Sequence, residues 1–371
     1  MTNNINAPFT FRNGTQLRNA VVMAPMTTWA GTDDGQLTAT ELAYYRERAQ
    51  DVGMVVTATT HIVKNGRGFE GQFYGGDDIC LPQLSELAAV IHAGGAKAIL
   101  QIFHAGRSTS EALCDDIVSA SAIPETYAYH THPRALEETE IHDLINKFAE
   151  ATKRAIKAGF DGVELHGANG YLLQQFLSPE TNQRDDQWGG SFENRTRFPL
   201  AVVDEVLNAV KEENRPDFIV GYRLTPEEVP QMKMGLTLED GCNFADKLAG
   251  KALSYLHISL QQYDQTSRRD PENTVPVITQ IQETLRGRLP LIGVGNVQSS
   301  ADLTRAQQIG CDLVAVGRAL VTEPRWLHLV QTHQPVRTTI AIDQWLARNI
   351  PEIMLKNISI NFPQTMESTD K

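Results

Sequence analysis

The feature that most constrains this chain is an alternation: short apolar, β-rich runs take turns with longer helical patterns, eight times over. The runs read as strands at Ala20–Met26, Gly53–Thr59, Ala96–Ile102, Gly162–His166, Phe218–Leu224, Tyr255–Ser259, Leu289–Val294 and Leu313–Val316. Between most of them lies an amphipathic pattern, as at Leu144–Ala158, Arg195–Lys211 and Leu238–Ala249. Near-continuous apolar strands spaced by helices indicate a parallel sheet covered on both faces. Eight such units favour a closed α/β (TIM) barrel over a doubly wound sheet. A chain of 371 residues suits one such barrel, expected over 1–335, with a C-terminal extension over 336–371.

Local signals refine this outline. Thr38-Ala39-Thr40-Glu41 and Ser299-Ser300-Ala301-Asp302 resemble capping boxes, which would start helices. Pro8–Leu17, with Asn13-Gly14 at its middle, reads as an N-terminal β-hairpin that could close the barrel's bottom. Arg107–Asp143 is too long for a simple loop after the third strand and is a candidate lid. The tail end, Glu367–Lys371, is expected to be disordered.

Composition excludes several classes of function. A net charge of −12 argues against a nucleic-acid binder, which needs a basic face. Cys80, Cys114, Cys242 and Cys311 form no CxxC motif, so no metal or redox cysteine site is expected. Scattered thiols, and an N-terminus without a signal-peptide pattern, point to the cytoplasm. No apolar run approaches the roughly 20 residues that span a bilayer, so no membrane role is expected.

Barrel active sites form at the C-terminal ends of the strands. The residues there are polar or glycine: Pro25-Met26-Thr27-Thr28-Trp29 after the first strand, and Gln101 to Arg107 around the end of the third. His166-Gly167-Ala168-Asn169-Gly170-Tyr171 follows the fourth, Arg223 ends the fifth, and Gly295 and Gly317-Arg318 follow the last two. Glycines in those last positions let backbone N–H groups approach an anion, and Arg318 can clamp a phosphate with its fork of donors. The same glycines could simply make tight turns. Gly293-Val294-Gly295 does not begin a dinucleotide fingerprint, because Gln298 stands where the third glycine belongs.

His166 and Asn169 are spaced to converge above the barrel if a helix or tight turn starts at Ala168. Together they can donate two hydrogen bonds to one carbonyl or nitro oxygen, and Tyr171 beside them can deliver a proton. A lone histidine here would more often be structural; three such groups after one strand favour function. Metal binding is disfavoured, since no second ligand has the right spacing.

These residues carry a resemblance to the Old Yellow Enzyme family of FMN-dependent ene-reductases, from about Phe9 to about Arg325. It rests on Ala24-Pro25-Met26-Thr27, Gln101 to Arg107, Glu164 to Pro179 and, most specifically, Asn182 to Arg197. The resemblance implies non-covalent FMN, with NADH or NADPH as reductant. Pro25, Met26 and Thr27 would line the flavin, Thr59 and Gln101 would meet its polar rim, and Arg223 would face its N1/O2 edge. Gly295, Gly317 and Arg318 would hold the phosphate. His166 and Asn169 would bind the oxygen of an enone or nitro-type substrate, Trp29 and Phe103 would border it, and Tyr171 would supply the proton. The implied reaction is hydride transfer from nicotinamide to flavin, then to the β-carbon of a conjugated alkene. Family members are often homo-oligomers; no interface is legible in this sequence.

The chain departs from the family pattern in places. Thr27 is cysteine in one branch, Asn169 is histidine in many relatives, and Trp29 stands where one branch has a tyrosine. The iron–sulfur cysteines and second nucleotide-binding domain of larger relatives are missing. The competing readings are a flavin-free lyase or isomerase of a phosphorylated substrate, and a flavin-binding protein without turnover. No lysine sits on the rim to serve the first.

Overall fold

The computed structural model describes residues 5–341, 344, 348–362 and 365–366. Eight parallel strands close on themselves: Val21–Met23, Met54–His61, Lys97–Phe103, Gly162–Gly167, Ile219–Leu224, Tyr255–Ile258, Leu291–Val294 and Leu313–Val316. Closure is made where the first strand pairs both with the eighth (Val22↔Ala315) and with the second (Val22↔Met54). All eight expected strands are present, with shifted ends. The first stops before Pro25, and the seventh begins after Pro290, because proline cannot donate to a ladder.

Period two sorts each strand into an inner and an outer face. The inner positions near the strand starts are apolar: Met54, Ile99, Ile219, Ile292 and Leu313 pack into one buried cluster. Two residues further on, the same face turns polar, with Gln101, Glu164 and His257. Gly221 leaves room for the Tyr255 ring, which a Cβ there would approach to 2.1 Å.

The expected hairpin forms, pairing Phe9–Thr10 with Gln16–Leu17. Asn13 and Thr15 donate to the Asp217 carbonyl just before the fifth strand, and Phe11 stacks toward Tyr255. The hairpin therefore plugs the bottom of the barrel.

The helices correct the sequence reading at their starts. Leu144–Ala158 is the end of a helix over Glu138–Lys157, begun where Glu140 folds back to accept from the Glu137 N–H. The excursion after the third strand thus ends at Glu137, not Asp143. Arg195–Lys211 extends to Phe192–Glu212, capped by Ser191. Leu238–Ala249 stands as expected. The Ser299/Asp302 capping box is complete. That of Thr38 is only half made: its hydroxyl accepts from the Glu41 N–H, but the Glu41 carboxyl turns inward to Thr28. Glu367–Lys371, expected to be disordered, lies outside the described residues.

The Asn182 to Arg197 motif is a clamp rather than part of the site. Arg184 donates to the carbonyls of Ala120 and Leu136 in the excursion, and Arg195 to those of Leu177 and Gly190.

Candidate active site

At the barrel's upper end a buried carboxylate organises its neighbours. Glu164 accepts from Gln101 Nε2 at 2.6 Å, from the Tyr255 hydroxyl at 3.0 Å, and lies 2.9 Å from His257 Nδ1. Burial pushes its pKa up, but His257, Arg223 and Gln101 outweigh that and hold it below the usual range. A bulge in the second strand, between Val56 and Thr59, sets Thr59 opposite Gln101. Gln72 ties the Thr59 hydroxyl at 2.9 Å. Gln101 Oε1 and Arg223 Nε are buried without a partner. An unmatched acceptor and an unmatched cationic donor, both desolvated, are costly unless a ligand satisfies them.

Arg223 lies between His166 and His257 in register, so the three share one row across adjacent strands. His166 Nδ1 accepts from the Ala168 N–H at 3.2 Å, which places the ring proton on Nε2. Burial, then the charge of Arg223, lowers the His166 pKa to about 3, so the ring is neutral. The chain then turns sharply. Asn169 has φ 57° and Gly170 φ 80°, and a helix over Leu172–Leu177 follows Tyr171. The tight turn, not a helix from Ala168, brings Tyr171 back against His166.

Tyr171 stands edge-on to Phe103 (4.4 Å between centroids) and to His166 (5.0 Å). Burial raises its pKa, so it is fully protonated at neutral pH. Its hydroxyl makes no hydrogen bond to the described chain. A cavity of about 440 Å³ opens above it, lined by Asn169, Tyr171 and, from the excursion, Arg107, Glu125 and Tyr129. Trp29 connects to Phe103 through Phe69, at 6.2 and 6.4 Å. Trp29 also borders a second cavity, of about 760 Å³, beneath the helix Glu352–Asn361.

The other end of the groove lies at the last two strands. Gly295 has φ 138°, and a Cβ there would come within 2.6 Å of the Gln262 carbonyl carbon, so no side chain fits. At Gly317 the nearest atom to a Cβ is Met26 Sδ at 3.4 Å, so its bareness leaves free space beside Met26. Arg318 donates to Asn296 Oδ1 at 2.7 Å and stacks on Phe362 at 4.6 Å. It lines a polar cavity of about 260 Å³ with Asn296, Arg337, Thr338 and Thr365, and no carboxylate is among the described lining residues. Pro25, Met26 and Thr27 are half-buried between the two ends, and the Thr27 hydroxyl has no partner within the described chain.

The donor set thus fits FMN: an electropositive pocket for the phosphate, bare backbone beside it, and unmatched polar atoms for the ring. The sequence matches the NADH:flavin oxidoreductase / NADH oxidase family model over residues 4–337, and the chain belongs to that family. It is an FMN-dependent NAD(P)H oxidoreductase of the Old Yellow Enzyme type. It is 44% identical over 321 residues to the probable NADH-dependent flavin oxidoreductase YqiG of Bacillus subtilis, covering 86% of this chain and 85% of that one. It is 41% identical to the NADH:fumarate oxidoreductase of Klebsiella pneumoniae over 95% of this chain but only 39% of that longer protein. Among solved structures, morphinone reductase superposes with a TM-score of 0.78 at 29% identity, over 91% of each chain. Family membership displaces the flavin-free lyase reading.

Sequence reasoning assigned no role to Glu164, Thr225, Ser259, Phe69 or Arg337. Glu164 had a usable signal: it lies two residues before His166 in an apolar strand, hence on the same inner face. Phe69 and Arg337 had none.

Proposed function

We propose that this enzyme reduces the C=C bond of alkenes conjugated to a carbonyl or nitro group. When bound, FMN supplies the hydride, which it takes from NADH or NADPH. Gln101, Thr59, Arg223 and Thr27 would hold the ring's polar edge, Pro25 and Met26 its face, and Gly295, Gly317 and Arg318 the phosphate. His166 and Asn169 polarise the alkene by binding its activating oxygen, and Tyr171 protonates the α-carbon. Trp29 and Phe103 border the substrate. The observation that carries the reading is a neutral His166 packed edge-on against Tyr171, whose hydroxyl has no partner among the described residues and which lines one cavity with Asn169. We read the barrel as ending near residue 335, with the extension closing over the phosphate end through Thr365. Four unpaired cysteines suit a reducing compartment, the cytoplasm.

The match to only 39% of the fumarate oxidoreductase favours a second reading, in which the chain oxidises NADH and passes electrons to a separate acceptor protein. Anaerobic flavin reduction by each nicotinamide, followed by mixing with a panel of enones and nitroalkenes, separates the two. Rapid reoxidation by an enone supports alkene reduction. Fast reduction by NADH with no reoxidation by any panel member refutes it and leaves the electron-donor reading.

A further inference from the structure

Asn169 is held from two sides by residues on neighbouring strands. Its backbone N–H donates to the Thr225 hydroxyl at 2.9 Å, just past the fifth strand. Its side-chain Oδ1 accepts from the Ser259 hydroxyl, also at 2.9 Å, just past the sixth. Ser259 is itself fixed, because its backbone N–H donates to the Leu224 carbonyl at 2.8 Å. Asn169 sits in the left-handed region, which asparagine tolerates better than most residues but which still needs support.

An amide side chain has two faces of opposite polarity. With Oδ1 occupied by a hydroxyl donor, Nδ2 is the group left to the cavity. The reverse orientation would present a carbonyl to the substrate oxygen and repel the charge that develops there. His166 is committed in the same way by the Ala168 N–H on its Nδ1.

We propose that Ser259 and Thr225 are positioning residues: Thr225 holds the Asn169 backbone in its turn and Ser259 holds the side-chain Oδ1, so that Nδ2 faces the cavity as a donor. This rests on the reading of Asn169 as an oxygen-binding group. Ser259 and Thr225 line the same cavity as Asn169, and the role assigned to them is exerted through their hydrogen bonds to Asn169. The consequence is that removing either hydroxyl weakens oxygen-ligand binding without any change in the oxygen-binding residues themselves.

The probe is 4-chlorophenol, titrated into the FMN-loaded enzyme and followed by the flavin's absorbance from pH 6 to 9. Ser259→Ala should weaken phenolate binding by up to roughly 10-fold, the scale of one neutral hydrogen bond. It should also raise the pH at which the bound phenol ionises, while melting temperature and FMN content stay as in the parent. Ser259→Thr, which keeps the hydroxyl, should restore both. Thr225→Val should act in the same direction and serves if the Ser259 variant does not fold. Unchanged affinity and unchanged ionisation in Ser259→Ala, or in Thr225→Val where only that variant folds, would overturn the proposal. Asn169→Ala separates the two levels. If it weakens phenolate binding while Ser259→Ala does not, only the positioning role fails. If it too binds as the parent does, the oxygen-binding reading of Asn169 fails with it.

Discussion

The two ends of the proposed cofactor groove are built differently. At the proposed ring end, over strands three to six, the side chains are held by the chain itself: buried Gln101 by Glu164, buried His166 by the Ala168 N–H, and exposed Asn169 by Thr225 and Ser259. At the phosphate end, Arg318 is half-buried, held by one amide oxygen and the Phe362 ring. Its cavity is closed by residues from the chain after the last barrel helix, Arg337, Thr338 and Thr365. The difference follows from what each end must do. Hydride and proton transfer depend on sub-ångström placement, so the donors are fixed in advance. An anchor needs charge and reach, which a stacked arginine supplies with less order.

The comparison breaks most sharply at Tyr171. Tyr171→Phe keeps the ring between Phe103 and His166 and removes only the hydroxyl. Nicotinamide oxidation should stay near normal, while enone reduction slows by roughly 10²–10⁴. Nitroalkenes should suffer less, because their anion can await a solvent proton. Stopped-flow measurement of each half reads this directly, and equal slowing of both would remove the proton-donor role. Next in size is the double change of His166 and Asn169 to alanine. Losing two preorganised donors should slow enone reduction by a few kcal/mol in barrier and abolish tight phenolate binding. Phenolate affinity equal to the parent's would make the pair structural.

The phosphate end should respond in cofactor affinity rather than in rate. Arg318→Ala removes a charged clamp and should weaken FMN binding by about 10- to 100-fold, the range for a charged hydrogen bond. Once saturated with FMN, the variant should keep its half-reaction rates. Unchanged flavin content after dialysis would refute the anchor, and lost rates at saturation would erase the distinction between the ends.

The sequence made the barrel and most rim residues readable, because strand position and period two depend on near neighbours alone. Gln101, His166 and Arg223 follow from counting along strands. What it hid was contact between distant segments. That Gln101 meets Glu164, 63 positions on, depends on strand pairing. That Ser259 meets Asn169 depends on two loops rising to equal height. The Glu41 side chain misled, because a capping partner is a local signal and the buried Thr28 is not. In the sequence the long motif at Asn182 is only a family mark; the folded chain makes it a clamp on the excursion, through Arg184 and the carbonyls of Ala120 and Leu136.

The smallest effect concerns pH, and it should separate the two sides of the barrel in opposite directions. On the side of strands two to four, burial lowers the pKa of His61 to about 4 and of His104 and His166 to about 3. Unfolded, each would titrate near 6.5. Above that value they cost nothing; below it the unfolded chain binds protons that the folded one refuses, so stability falls as pH drops from 6.5 toward 4. Beside the first and eighth strands the sign reverses. Glu41 is buried with Thr28, Tyr44 and Tyr45 around it, and burial raises its pKa to about 8 despite the Thr28 hydrogen bond. Its unfolded value is near 4.5, so the folded chain holds the extra proton, and stability is lost as pH rises from 4.5 toward 8. Each group changes stability by at most about 1.4 kcal/mol per pH unit. Hydrogen exchange resolved by segment should therefore show strands two to four loosening at pH 5, and the helix Ala39–Arg48 loosening at pH 8. Glu41→Gln should abolish the alkaline loss and leave the acid one. If the helix exchanged equally at both pH values in the parent, Glu41 would not be held protonated, and the two sides would not differ in this respect.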